Sequence, residues 1–262
     1  FNESIDLMNS KLYSEKSIGY LALNLFISID PSLIDAILER VKRDLNSNDE
    51  NFNCLALHFI SSSIDDPSNA QFFENDVFLL LRSPTISNLI KKKACLAFLK
   101  LIKADSSILL RHPDWIQKIL SLLDTDDLGL AISLTSLIEY IAKLDYNSCK
   151  PIIPVVANHL KKLIVNDICP TGYYYYGFSC PWLVIRLFSL LEILIPDIDE
   201  IDIDTLTLDL IQSIIHKTIS ISISKRNSKS LETRNTASFL LFGAISLAAH
   251  INSSQDESIA AA

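Results

Sequence analysis

Apolar residues recur along this chain at the three-and-four spacing of amphipathic helices. Within 128–141, Leu130, Leu134, Leu137, Ile138 and Ile141 fall at i, i+4, i+7, i+8 and i+11, the stripe of a buried helix face. Comparable stripes run through 89–102, 116–123, 152–164, 183–194, 206–219 and 236–249. Ser14-Glu15-Lys16-Ser17 predicts a helix start feeding Ile18, Leu21 and Leu25. Asp30-Pro31 predicts another, with Leu33, Ile34, Ile37, Leu38 and Val41 on one side. Aspartate before the helix and proline in its first turn are the expected entry chemistry. The alternation Ile219-Ser220-Ile221-Ser222-Ile223-Ser224 has the period of a strand, but the helical period of 206–215 before it favours continued helix. Residues 225–230 are polar and basic and read as a loop.

The stripes are separated by breakers at Asp30-Pro31, Asp65-Asp66-Pro67, Asp105-Ser106, Asp145-Tyr146 and Pro196-Asp197, about 35, 40, 40 and 51 residues apart. Two helices fit each interval, and a period of roughly 35–47 residues with two helices is the HEAT/armadillo range. The units share rhythm rather than a repeated motif. The last interval is lengthened by an insertion at about 166–181 that does not read as helix. The expected fold is therefore all-α: one right-handed superhelical solenoid of about six HEAT/armadillo-like helical pairs spanning 1–262, with no internal domain boundary.

Composition agrees with this pattern. Apolar residues make up 49% of the chain, while there are 5 glycines and 9 prolines, too few for many tight turns between short strands. No run of about 18 apolar residues occurs, so no membrane-spanning helix is expected. The net charge of −8 argues against a general nucleic-acid binder, which carries a basic stripe. Phe1-Asn2-Glu3-Ser4 lacks the pattern of a secretory signal, and the chain reads as a piece truncated at both ends. Cys54, Cys95, Cys149, Cys169 and Cys180 are odd in number and irregularly spaced, without a CxxC, which suits a reducing, cytoplasmic setting. Cys54 and Cys95 sit inside apolar helical patterns, where cysteine acts as a small hydrophobe.

Candidate chemistry is sparse. His58, His112, His159, His216 and His250 are scattered, and none converges by spacing on cysteine, aspartate or glutamate in a metal-ligand pattern. His58, within Leu55-Ala56-Leu57-His58-Phe59-Ile60, is expected at a helix–helix seam. No GxSxG, Walker or GxGxxG pattern is present, and the carboxylates at 197–204 read as a solvated loop. The expectation is no enzyme: no catalytic residue, no cofactor and no metal site. Among basic clusters, Lys91-Lys92-Lys93 splays over nearly a full helical turn and reads as solvated. Lys161-Lys162 and Lys225-Arg226 are weaker, and Lys11 and Lys16 could extend a patch formed by residues outside the chain. The most unusual segment is Thr171-Gly172-Tyr173-Tyr174-Tyr175-Tyr176-Gly177-Phe178-Ser179-Cys180-Pro181-Trp182. Four consecutive tyrosines cannot all be buried with satisfied hydroxyls. Either the loop folds back over the helical stack with some rings wet, or it contacts a partner.

That segment also carries a resemblance. The tyrosine cluster followed by Pro181-Trp182-Leu183, Leu187 and Leu190-Leu191 resembles the trunk of the alpha-adaptins, large subunits of the endocytic clathrin adaptor complex (adaptor complex two). Tyr13-Ser14-Glu15-Lys16-Ser17-Ile18-Gly19-Tyr20-Leu21 is similar to the adaptin signature Y-(S/T)-E-K-x-I-G-Y-L. Leu55-Ala56-Leu57-His58 resembles the L-A-L-H helix of the same family. Asp114-Trp115, Leu122-Leu123-Asp124 and Leu128-Gly129 follow its D-W…L-L-x-D…L-G run. Phe242-Gly243-Ala244-Ile245-Ser246-Leu247 resembles F-E-A-I-S-L, with Gly243 in place of the acidic residue.

The resemblance implies a non-catalytic scaffold that supports assembly of the adaptor core for cargo selection in clathrin-mediated endocytosis and vesicle transport. It implies partners too: a small sigma-type subunit, a medium mu-type subunit and a second large beta-type subunit. Through the parent complex these extend to clathrin, phosphoinositide membrane and cargo tails. The implied setting is cytoplasmic and peripheral on the plasma membrane at clathrin-coated pits. The family's lipid and dileucine-cargo residues lie upstream of the matched stretch, and its clathrin-binding hinge and appendage downstream, so no such residue carries over. The alternatives are a HEAT-repeat transport receptor or another adaptin large subunit.

Overall fold

The computed structural model describes residues 1–195 and 203–261, with the side chains of the last helix described as far as Ile251. The Pro196-Asp197 break, the acidic run as far as residue 202, and Ala262 lie outside the described residues. The chain forms two compact units, Phe1–Lys118 and Ile119–Ala262.

In the first unit, α1 (Asn2–Met8), α2 (Tyr13–Ile29), α3 (Leu38–Leu45), α4 (Glu50–Ser63), α5 (Pro67–Arg82), α6 (Asn88–Ala104), α7 (Ser107–Arg111) and the start of α8 (Asp114–Ser121) follow in order. α2 packs on α4 and α4 on α6, making one row; α3 packs on α5 in a second row. α3 against α4 and α5 against α6 join the rows. This two-row stacking of helical pairs is the solenoid class of fold. Phe59, Phe73 and Phe98 are fully buried between the rows.

The second unit repeats the arrangement with α9 (Leu128–Leu144), α10 (Tyr146–Cys149), α11 (Ile153–Leu160), α12 (Pro181–Leu194), α13 (Thr205–Lys225) and α14 (Leu231–Ala261). α12 packs between α9 and α14, while α11 packs on α13. The α9 stripe of Leu130, Leu134, Leu137, Ile138 and Ile141 is buried throughout. α11 runs on into a π-turn at Lys161–Val165, where the Asn166 amide reaches back to the Lys161 carbonyl at 3.0 Å. The chain then leaves helix for a two-stranded ribbon, β1 (Tyr174–Tyr175) and β2 (Phe178–Ser179).

The breakers have a common mechanism. Asp30, Asp49, Asp66, Asp127, Asp145 and Asp204 each precede a helical segment, and each side chain accepts a backbone N–H from its first turn. Asp105 does the same for Ser107 at 3.0 Å. A carboxylate there satisfies an orphan donor and faces the positive end of the helix dipole.

Two local expectations come out differently. On α2 the face carrying Ile18, Leu21 and Leu25 is exposed, and Lys16, Gly19, Tyr20, Leu23 and Ile27 face inward. The Pro31 segment begins as a 3₁₀ turn, Pro31–Ala36, before α3 forms. The alternating 219–224 stretch is helix as expected, the last turns of α13. Thr218 and Ser222 point inward there, while Ile223 is exposed, so burial follows the helix rather than the alternation.

Candidate interaction surface

The inward side of the signature around Gly19, formed by Lys16, Gly19 and Tyr20, is a structural knot. Gly19 lets α2 cross α1 closely: a Cβ there would stand 2.4 Å from the Met8 backbone nitrogen. One turn earlier, Lys16 is 4% exposed, which corrects its reading as part of a surface patch. Its ammonium donates to the Met8 carbonyl at 2.6 Å and to both Asp44 oxygens at 2.9 and 2.8 Å. Tyr20 donates to the same Asp44 carboxylate at 2.9 Å. Burial first, then Asp44 itself, raise the Tyr20 pKa far above its ordinary range, so the phenol stays a donor. Asn53 of α4 closes the knot by donating to the Asp44, Leu45 and Ser47 carbonyls at the end of α3. Sequence reasoning found Lys16, Gly19 and Tyr20 but missed Asp44 and Asn53, which lie 28 and 37 positions beyond Lys16 with no local pattern to mark them.

The Asp114-Trp115 motif is likewise structural. The Trp115 ring stacks on Phe78, at 3.9 Å, and on His112, at 4.0 Å, nearly parallel to both. His112 Nε2 lies 3.3 Å from buried Glu74, which also pairs with Arg111 at 2.6 Å, and Arg111 reaches Asp105 at 2.9 Å. His58 is exposed, not at a seam, because Ala56, Leu57, Phe59 and Ile60 supply the buried face of α4. Among the described residues, no three histidine, cysteine or acidic side chains converge as a metal site. All five cysteines are free thiols; Cys95 and Cys149 are pushed up to about 12 and Cys180 to about 11, in each case mainly by burial.

His159 is a buried imidazole whose Nε2 lies 2.7 Å from the Leu123 carbonyl. Burial is the largest influence on its pKa and lowers it, the Leu123 hydrogen bond opposing. An unfolded histidine titrates near about 6.5, so below that pH the unfolded chain binds a proton that the folded one resists. Stability should therefore fall as the pH drops from about 7.5 to 5.5. A His159→Gln variant should lose part of that dependence, as chemical denaturation at the two pH values would show. An unchanged slope would remove His159 as its source.

The basic clusters stay dispersed. Lys91, Lys92 and Lys93 are each half-buried. Lys162 pairs with Asp126 at 3.1 Å. Lys225 donates to the Gly177 carbonyl and lies 4.2 Å from the Phe178 ring, locking α13 to the ribbon.

The tyrosine segment resolves into inward and outward positions. Tyr174 pairs with Ser179 and Tyr175 with Phe178. The connecting Tyr176 and Gly177 have φ of 46° and 82°, the positive values that a type I′ hairpin turn demands. Phe178 and Ser179 are buried, anchoring the ribbon, while Tyr174, Tyr175 and Tyr176 are exposed. The Tyr174 hydroxyl donates to the Asp167 carbonyl at 2.9 Å. Tyr175 packs edge-on to Tyr176 and Trp182, with centroids 4.6 and 4.5 Å away. The segment thus takes the folded-back arrangement, with Phe178 and Ser179 packed inward and the tyrosine rings on the open side.

All of residues 1–262 match the family described as the adaptin N terminal region. The chain belongs to the adaptin N-terminal-region family. It is 32% identical to the AP-2 complex subunit alpha of Saccharomyces cerevisiae over 98% of its length, covering 28% of that protein. It is 30% identical to the AP-2 complex subunit alpha-2 of Dictyostelium discoideum over 95% of its length, covering 24% of that protein. The chain thus spans about a quarter of these relatives. In fold it is similar to a chain in a homology model of the full-length AP-3 complex in an intermediate open conformation. That match has a TM-score of 0.58 at 24% identity, over 91% of this chain and 39% of the other.

This adaptin segment also presents apolar side chains that its own core leaves uncovered. On α2, Ile18, Leu21, Leu25 and Ile29 are 55–82% exposed and lie on one helical face. On α14, Phe239, Phe242 and Ile245 are 45–69% exposed. Among the described residues, no helix is long and apolar enough to cross a membrane.

Proposed function

We propose that the chain is a non-catalytic scaffold segment of a clathrin adaptor large subunit, supporting assembly of the adaptor core for cargo selection in endocytosis and vesicle transport. The observation that carries the reading is the exposed α2 face of Ile18, Leu21, Leu25 and Ile29 in a chain of this family. A contiguous apolar face of that kind marks a protein-interaction surface. The partners are the other adaptor subunits, of small sigma, medium mu and second large beta type. Through the parent complex they extend to clathrin, phosphoinositide membrane and cargo tails, at the cytoplasmic side of the plasma membrane. Likeness to AP-2 alpha subunits supports this reading, as does a charge of −8, which does not suit nucleic acid. The segment acts as a single length of solenoid within the trunk, the ribbon and its flanks being an insertion at about 166–181.

The test is co-expression of the full-length parent with a sigma-type small subunit. The pair should co-purify, and Leu21→Asp with Leu25→Asp should abolish or weaken recovery at least tenfold while the circular dichroism melt stays unchanged. Exposed positions tolerate such changes within about 0.5 kcal/mol. A parent purified as a stable monomer beside its co-expressed small subunit would overturn the proposal.

A further inference from the structure

The second unit contains a cavity of about 340 Å³, walled by the π-turn after α11, the ribbon, α13 and α14. Its volume lies at the lower end of the roughly 300–1,000 Å³ typical of small-ligand sites. α13 supplies Lys217, Ile221 and Lys225 to the wall at intervals of four, so they share one helical face. Neither lysine has a carboxylate within ion-pair distance among the described residues; Lys225 instead holds the Gly177 carbonyl. The acid of the wall is Asp167, kept ionised chiefly by the hydrogen bond from Ser179, which lowers its pKa. Among the described residues, two lysines against one aspartate leave a charge of +1 on the lining, in a chain whose net charge is −8.

Ser222 adds an independent indication. It lines the cavity, is 1% exposed, and its hydroxyl makes no hydrogen bond. One turn earlier Thr218 satisfies its own hydroxyl on the Ile214 carbonyl at 2.8 Å, so the helix offers that solution and Ser222 does not use it. A buried polar group without a partner calls for an explanation. Leu163, Phe178 and Leu240 supply apolar surface to the same wall.

We propose that this cavity binds a monoanionic carboxylate carried on an apolar body. The carboxylate lies along α13 between Lys217 and Lys225 and takes the Ser222 hydroxyl as donor, while the apolar body rests on Leu163, Phe178 and Leu240. A single negative charge balances the lining. A phosphate dianion would exceed it and meet repulsion from Asp167, and among the described residues the wall has no arginine to grip phosphate with two parallel donors. The same chemistry is offered by a free aliphatic acid and by the carboxy terminus of a peptide ending in an apolar residue.

Calorimetric titration of the full-length protein would separate these sources, using octanoate and an acetylated hexapeptide ending in leucine, with the C-terminal amide as control. Saturable binding of octanoate alone assigns a soluble acid, and of the free-acid peptide assigns a chain terminus; the amide should bind at least tenfold more weakly. Lys217→Met, an exposed position, should weaken binding about tenfold, the value of one charge-assisted contact. Ser222→Ala should raise the melting temperature by removing the orphan hydroxyl and also weaken binding by about threefold. The proposal is overturned if neither probe binds saturably, if amide and acid bind alike, if inorganic phosphate displaces octanoate, or if both variants bind as the parent does.

Discussion

Replacing Lys16 with methionine should destabilise the first unit by about 3–5 kcal/mol, because it leaves the Asp44 carboxylate buried without its cation. The side chains of the pair are only 5% and 10% exposed, so water cannot take the ammonium's place. The loss also frees the Met8 carbonyl and with it the tie between α1 and α2. Removing both charges with Lys16→Met and Asp44→Leu should recover most of the loss, since an apolar pair of similar volume avoids the desolvation that the ion pair must overcome. Tyr20 would then lack its acceptor, which keeps the recovery incomplete. Urea unfolding followed by Trp115 fluorescence in a Trp182→Phe background reports on the unit concerned. If the single variant unfolds within about 0.5 kcal/mol of the parent, the knot is not a stabilising centre.

Gly19→Ala is expected to have the next largest effect, about 3 kcal/mol, at the upper end for overpacking. The added methyl would meet backbone atoms, with Met8 N at 2.4 Å and Leu7 C at 2.9 Å, so α1 must move away as a whole. Gly243→Ala makes a useful control. Its new Cβ would also come within 2.4 Å of a neighbour, but that neighbour is the Cδ1 tip of Ile185, which can rotate. The control should cost under about 1 kcal/mol. Equal losses at the two positions would mean that the close crossing of α1 and α2 is not what Gly19 provides.

Much of the helical architecture was legible because two independent signals, apolar stripes and aspartate breakers, agree on where helices begin and which faces they bury. The α9 stripe is the plainest case. What was hidden depended on contacts between distant positions. α2 carries apolar residues on two faces, and the Lys16–Tyr20 face turns inward through contacts with Asp44, far along the chain, and with the Met8 backbone of α1. In α13 the strand-like alternation arises because Thr218 and Ser222 occupy inward positions where leucine or isoleucine would have shown the helical period. In the tyrosine segment the composition marked the place, yet the division runs strand against strand, with β2 (Phe178, Ser179) buried and β1 (Tyr174, Tyr175) exposed, which residue types alone do not set. The cavity beside it was illegible for the same reason, since Lys217, Asp167 and Leu240 meet only through folding.

The aspartate caps change what the chain's acidity means. Asp30, Asp49, Asp66, Asp127, Asp145 and Asp204 are held against helix starts by their geometry. Glutamate at those positions would preserve the charge and forfeit the reach, since its longer arm is not among the side chains that cap well. A good part of the low isoelectric point is therefore punctuation. It records where each helix opens, and drift toward neutrality through asparagine or serine at these sites would leave the architecture readable and intact.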